Sequence, residues 1–167
     1  NNHVVIFNVM SNTKPRFRNI FLAIFSAIAL VLILDFALSG KVINAQVAGV
    51  QSEYQQYYNA AQNYHYSYMV FTEEHAFPVS ESFAETVQKG DSVEFSVSIL
   101  FNQVNWYRMS GDNNRSVYSL RLMAGLVAPL LALIVFFIAY RFKRNLSTLI
   151  FVLQAILLAD LILTIIY

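Results

Sequence analysis

The residues best suited to chemistry are Asp160 and Gln154, which are polar side chains inside a long apolar stretch, residues 146–167. An ionisable group in such a stretch must face protein or water, so a carboxylate there can carry a proton or bind a cation. At about 100° of rotation per helical residue, the two side chains lie roughly 120° apart and share no narrow face. We favour the alternative, in which Asp160 contacts a partner subunit or reaches the outer interface, because few other polar groups accompany it.

No arrangement typical of an enzyme accompanies these two residues. His3, His65 and His75 are too scattered for metal-ligand spacing, and no HExxH motif, catalytic carboxylate pair or nucleophile elbow is found. Cysteine is absent, which excludes a disulfide framework and a thiolate metal site. The run Glu73-Glu74-His75 could bind a cation, but it is more typical of a solvated turn. We therefore expect no enzymatic activity, no cofactor and no metal.

The polar side chains named above lie within a chain dominated by three long apolar stretches, residues 20–38, 122–140 and 146–167. Each has about the 20 residues needed to cross a hydrocarbon core, and their only charged residues are Asp35 and Asp160. Asp35 is close enough to the end of the first stretch to reach the interface. None of the three has the polar face of a soluble amphipathic helix. The sequence predicts an integral membrane protein with three transmembrane helices in contact with the lipid bilayer. The first stretch is expected to be retained, because it is longer than the apolar region of a cleaved signal.

Two basic clusters predict the orientation in the membrane. They consist of Lys14, Arg16 and Arg18 before the first span and of Arg141, Lys143 and Arg144 between the second and third. Residues 39–121 carry five basic and eight acidic residues, a net charge of −3. By the positive-inside rule, segments 1–19 and 141–145 are inside, and segment 39–121 is outside. A bacterial inner membrane would then place segment 39–121 in the periplasm or outside the cell.

Small residues in the three spans predict helix packing. Pro129 lies near the middle of the second span, where it should kink the helix or release the carbonyl of Gly125, four residues earlier. Such a kink can serve gating, but more often it shapes a packing surface. The small-xxx-small spacing recurs in the other spans, in Ala23 with Ala27 and in Ala155 with Ala159. These faces favour association with protein partners or with further copies of the chain.

The outside segment is predicted to be a small α+β domain. Residues 42–64 show apolar and tyrosine side chains at spacings of three and four, which predicts a helix continuing the first span. From Tyr64 onward the alternation has a period of two and predicts strands. These strands are residues 64–70, 76–79, 93–101 and a last one that ends near Met109. We also expect a helix over 81–87 capped by Ser80, a turn at Gly90, and a four-stranded β-meander or small open barrel.

A dense group of tyrosines is the best functional hint in this domain. Some of them must fill the small core, and the remainder could form a protein interface, because aromatic residues are enriched at interfaces. The candidates for that interface are Tyr54, Tyr57 and Tyr58.

The run VQKGDSVEF, which contains Val87, Gly90, Asp91 and Val93, is followed by LFNQVNWY and a membrane span. This order resembles a broad group of uncharacterised bacterial membrane proteins, in which a small β-domain with a V-x-x-G-D-x-V motif is inserted between transmembrane helices. The resemblance covers about Tyr64 to Tyr140. It implies the fold and carries no activity, and the third span departs from its simplest form.

These observations favour a non-catalytic subunit or scaffold of a membrane complex. Two alternatives remain open: a transport component that uses Asp160 and the Pro129 kink, and an envelope sensor or signalling protein whose outside domain binds a ligand or partner. The net charge of +1 and the absence of longer basic runs give no support to nucleic-acid binding.

Overall fold

A computed structural model describes residues 2–38, 40–56, 64–142 and 146–166, with side chains from residue 17 onward except 53–65. The chain divides into two compact units. The helical unit comprises Asn1–Leu34 and Ala124–Tyr167, and the β unit comprises Asp35–Met123.

The long helices are α1 (Asn2–Ala37), α4 (Ala128–Arg141) and α5 (Ser147–Ile166). A short helix, α3 (Ser119–Leu122), leads into α4 through a π-helical turn, Met123–Val127. Three segments are long and apolar enough to cross a membrane: Phe17–Ala37, Ser119–Arg141 and Ser147–Ile166. The predicted apolar helices are therefore confirmed, with bounds that differ by a few residues.

One stripe of each long helix is buried in the helical unit. In α1 it consists of Leu22, Phe25, Ala29 and Leu32, and in the second apolar helix of Gly125, Pro129, Ala132, Phe136 and Ala139. The spacing of three and four residues is that of helices packed side by side. α5 contacts α4 and buries Leu153 and Leu157. Most other apolar side chains of these helices are exposed, as they are in helices that face lipid.

The second apolar helix is irregular where the sequence predicts it. Proline has no N–H, so the helix loses the bond that residue 129 would donate to the carbonyl of residue 125. The π-helical turn Met123–Val127 contains Gly125 and ends one residue before α4 begins. π turns are a common form of helix distortion, and here the proline gives it a local cause.

The β unit contains two antiparallel three-stranded sheets. Their strand orders are β1-β5-β6 and β2-β3-β4. The strands are β1 (Lys41–Gln46), β2 (Gly49–Gln56), β3 (Tyr64–Phe71), β4 (Ala76–Val79), β5 (Ser92–Val97) and β6 (Val104–Met109), with helix α2 (Glu81–Thr86) between β4 and β5. The α+β prediction is confirmed, but the single four-stranded meander or barrel is wrong.

The predicted helix over residues 42–64 is also wrong, because its described part forms β1 and β2. β1 pairs with β5, whereas β2 pairs with β3, so this segment adds one strand to each sheet. Val47 and Ala48 carry the chain between the sheets. The N–H of Val47 donates to the carbonyl of Asp91 at 2.9 Å, and the N–H of Ala48 donates to that of Phe71 at 2.8 Å. Pairing with distant strands thus overrides the local helical spacing.

The later elements follow the prediction more closely. Pro78 lies in β4, which is an edge strand, as a residue without N–H requires. Gly90 has φ +96°, which confirms the glycine turn before β5. β5, however, ends at Val97 rather than at residue 101. The chain then turns back towards β6, with Asn102 in the left-handed region at φ 55°.

One hydrophobic core is shared by the two sheets and α2. Its aromatic centre is Phe77 of β4, Phe83 of α2, Phe95 of β5 and Tyr107 of β6. The ring centroids of Phe77 and Phe95 are 4.8 Å apart, and those of Phe83 and Tyr107 are 4.7 Å apart. The hydroxyl of Tyr107 accepts the N–H of Ser80 at 2.7 Å, so the buried phenol is satisfied at the start of α2.

Candidate functional site

The most developed polar site of the β unit is built on Asp35, in the last turn of α1. Its carboxylate oxygen Oδ2 accepts a hydrogen bond from Nη2 of Arg121 at 2.7 Å. The exposed fractions of the two side chains are 0% for Asp35 and 9% for Arg121, so the ion pair is shielded from water. A negative charge at a helix C-terminus is opposed by the helix dipole. Asp35 therefore needs the counter-charge that Arg121 of α3 supplies.

The other carboxylate oxygen of Asp35 holds the turn between β5 and β6. Oδ1 accepts the N–H of Leu100 at 3.0 Å and the N–H of Phe101 at 3.3 Å. A buried carboxylate is stable only when its oxygens have partners, and both oxygens of Asp35 have them.

Asn105 of β6 completes the site. Its Nδ2 donates to the backbone carbonyls of Asp35 at 3.0 Å and of Phe36 at 3.1 Å. These carbonyls lie in the last turn of α1, where the helix itself offers no donors. Its Oδ1 accepts from Nε and Nη2 of Arg121, at 3.0 Å and 2.8 Å. We call Asp35, Asn105 and Arg121 the Asp35 cluster.

The Asp35 cluster is suited to holding structure rather than to catalysis. Each oxygen of the Asp35 carboxylate and both polar atoms of the Asn105 amide have hydrogen-bond partners within the β unit. The cluster joins the end of α1, the β5–β6 turn, β6 and the start of α3. It thereby joins the last turn of α1 and α3 to one sheet within the β unit.

The sequence placed Asp35 near the outer interface and did not identify its partner. The signal that could have found it is the acidic residue in a last helical turn, since such a residue calls for a cation. Arg121 is the basic residue that directly precedes the next apolar stretch. The role of Asn105 had no signal in the sequence, because a single asparagine in a strand is unremarkable.

Asp160 lies in α5 and is partly buried. Its Oδ2 is enclosed and has no hydrogen-bond partner among the residues that the structure describes. Thr164 donates to the backbone carbonyl of Asp160 at 2.7 Å and leaves the carboxylate untouched. Gln154 is also partly buried, and it forms no hydrogen bond with the enclosed Oδ2 of Asp160. In that same part, no group of three or more His, Cys, Asp or Glu residues could hold a metal ion.

The residues predicted to pack between helices fall into two groups. Gly125 and Pro129 belong to the buried stripe of the second apolar helix. The alanines of α1 and α5 face away from the buried stripes and are exposed in the single chain: Ala23, Ala27, Ala155 and Ala159. Packing through these alanines therefore requires a second protein or a second copy.

The described members of the tyrosine group lie in β2 and β3. Tyr54 of β2 is the register partner of Tyr66 of β3, whereas Tyr57 and Tyr58 lie outside the described residues. The hydroxyl of Tyr68 donates to Oε1 of Glu81 at 2.9 Å. This hydrogen bond to the carboxylate, which favours the neutral phenol, raises the pKa of Tyr68 above its ordinary value of 10.0.

Comparisons of the chain with family models, with curated proteins and with solved structures found no match.

Proposed function

We propose that this protein is a non-catalytic subunit or scaffold of a membrane complex, with three spans and a β unit outside the membrane. The observation that carries the proposal is the Asp35 cluster. A protein that presents a domain to partners needs a defined arrangement of the chain where the domain begins and ends, and the cluster joins the last turn of α1 and α3 to β6 within the β unit.

Because the Asp35–Arg121 ion pair is buried, its main effect is to fix the geometry at the end of α1 rather than to add net stability. Buried ion pairs contribute little net stability compared with well-packed apolar side chains, but breaking one leaves an uncompensated charge. The end of α1 therefore has one strongly preferred arrangement against β6. A fixed arrangement of the first and last parts of the β unit suits a scaffold.

The proposed location is a bacterial inner membrane, with residues 39–121 on the periplasmic side. The two basic clusters support the orientation, and the resemblance to bacterial membrane proteins with an inserted β-domain supports the source. The exposed alanines of α1 and α5 supply faces for partner helices or for further copies of the chain.

A second candidate function, a transport component, is favoured by the unpartnered Oδ2 of Asp160. Ionisable residues inside spans often mark ion or proton paths. A scaffold would instead use the same carboxylate as a polar contact with a partner helix. The two roles predict opposite effects on function of Asp160→Asn, which replaces the carboxylate by an amide of the same shape.

The deciding experiment compares Asp160→Asn with Asp160→Leu by native mass spectrometry of the protein in mild detergent and by a flux assay in vesicles. The scaffold role predicts a complex of fixed stoichiometry that survives Asp160→Asn, because an amide keeps a hydrogen bond, and that loosens in Asp160→Leu. A monomer in detergent and in nanodiscs contradicts the scaffold. An intact Asp160→Asn complex that has lost a flux shown by the wild type supports transport.

A further inference from the structure

We propose that the β unit itself inserts into the outer leaflet of the bilayer through an apolar rim, formed by Leu38, Val42, Ile99, Leu100 and Leu120. The inference rests on the membrane location given under Proposed function. Its partner is the lipid of the leaflet at which the first span ends.

The turn between β5 and β6 has an unusual composition for a hairpin tip. It reads Ser98-Ile99-Leu100-Phe101-Asn102-Gln103, so three apolar residues occupy its centre. Ile99 is 62% exposed and Leu100 is 56% exposed. Hairpin tips in water are normally rich in Gly, Asn, Asp and Ser, and consecutive exposed apolar residues call for a functional reason.

The turn is held where the first span ends. Asp35 precedes the end of the candidate span Phe17–Ala37 by two residues, and its Oδ1 accepts the N–H groups of Leu100 and Phe101. Ile99 and Leu100 therefore lie beside the last turn of α1, where the candidate span ends. A membrane that covers the span to its end reaches this level.

The other rim residues lie around the same point. Leu38, which is 50% exposed, directly follows α1, and Leu120, which is 65% exposed, directly precedes Arg121 of the Asp35 cluster. Val42 of β1, 52% exposed, is the register partner of Ser96 near the end of β5. Lys41 lies beside Val42 and is exposed, and a lysine stem can reach the headgroups while its neighbours meet the acyl chains. The rim residues thus lie around the part of the β unit in which α1 ends and α3 begins, which is the reason to choose lipid as their occupant.

The test uses the single tryptophan of the chain. In a Trp106→Phe background, Ile99→Trp is reconstituted into phosphatidylcholine vesicles that contain lipids brominated near the carbonyl or near the methyl end. Leu131→Trp, at a position of α4 that is 48% exposed and near the middle of the candidate span Ser119–Arg141, is the deep control. Asn113→Trp is the water-exposed control, because the length of β6 separates it from the rim by about 20 Å. Leu100→Trp repeats the measurement if the first variant folds poorly.

If the rim is inserted, the lipid brominated near the carbonyl should quench the tryptophan at position 99 more than the lipid brominated near the methyl end. Neither lipid should quench the tryptophan at position 113. If the tryptophan at 131 is quenched and that at 99 is not, the rim is overturned and the membrane location stands. If the tryptophan at 131 is not quenched either, both fail. Protection of 99 from iodide without lipid quenching also overturns the rim, because a protein then covers it.

Discussion

Arg121 Nη2 lies 2.7 Å from Oδ2 of Asp35, although the two residues are 86 positions apart in the sequence. Asp35 lies in the last turn of the first apolar helix, and Arg121 directly precedes the second apolar stretch. Their ion pair is shielded from water, and Asn105 bonds to both residues. The fold of the β unit therefore depends on a polar contact as well as on its hydrophobic core.

Removing the cation should destabilise the β unit strongly. Arg121→Met leaves Asp35 buried without a counter-charge, which costs about 3–5 kcal/mol of unfolding free energy. The matched control is Arg108→Met, which breaks the more exposed pair with Glu94 and should cost at most about 1 kcal/mol. Pulse proteolysis of the detergent-solubilised protein over a urea series measures both.

Removing both charges should be milder than removing one. Asp35→Leu combined with Arg121→Met takes away the uncompensated carboxylate, so the double variant should recover much of the stability lost by Arg121→Met. If the two single losses simply add in the double variant, the ion pair is not what holds these elements.

Gly90→Val should destabilise the β unit by about 1–3 kcal/mol, because a β-branched residue is strained at positive φ. A Cβ at position 90 meets no atom within 4 Å, so the effect comes from the backbone alone. Gly49→Val is the matched control, since a Cβ there also has open space and no positive φ is recorded. Equal unfolding midpoints for the two variants would contradict the turn's role.

Tyr68 should titrate above its ordinary pKa of 10.0, because the Glu81 carboxylate accepts its proton in a hydrogen bond. A pKa that is raised in the folded state contributes stability below the unfolded value, and this contribution is lost as the pH rises through the folded value. The absorbance near 295 nm of the wild type minus that of Tyr68→Phe gives the midpoint. Glu81→Gln should move the midpoint back towards 10, and a wild-type midpoint at or below 10 would count against the bond.

The proposed orientation can be measured directly, because the chain contains no cysteine. A cysteine at Asp112 should react with an impermeant maleimide added outside intact cells, whereas one at Asn145 should react only after permeabilisation. Replacing Lys143 and Arg144 should weaken the orientation of the hairpin, since short basic loops carry most of the topological signal. Labelling of position 112 from the cytoplasmic side alone would reverse the topology.

The sequence predicts the parts of the fold that depend on local composition. The three apolar helices, β3, the proline-containing edge strand and the Gly90 turn all carry their signal within a few residues. The helix predicted for residues 42–64 is wrong, because Gln, Ala and Tyr at helical spacing are compatible with either a helix or strands. Their partners, β5 and β3, decide the matter, and a spacing pattern does not contain that information.

The candidate site, too, has one part with a local signal in the sequence and one part without it. Asp160 stands out in the sequence because its surroundings are apolar. The Asp35 cluster does not, since its three side chains come from α1, β6 and α3 and meet only in the folded β unit. A polar network of this kind depends on non-local geometry, and only its unfavourable helix-end carboxylate gives a local sign.

The pairing of β1 with β5 also sets an order of events during synthesis. β1 emerges first but has no partner until β5 has been made, and Asp35 lacks its counter-charge until Arg121 follows. α1, whose hydrogen bonds are local, can form at once, whereas the β unit closes only when nearly all of it is present. A chain stopped before residue 121 should therefore hold a formed helix and an open, protease-sensitive domain.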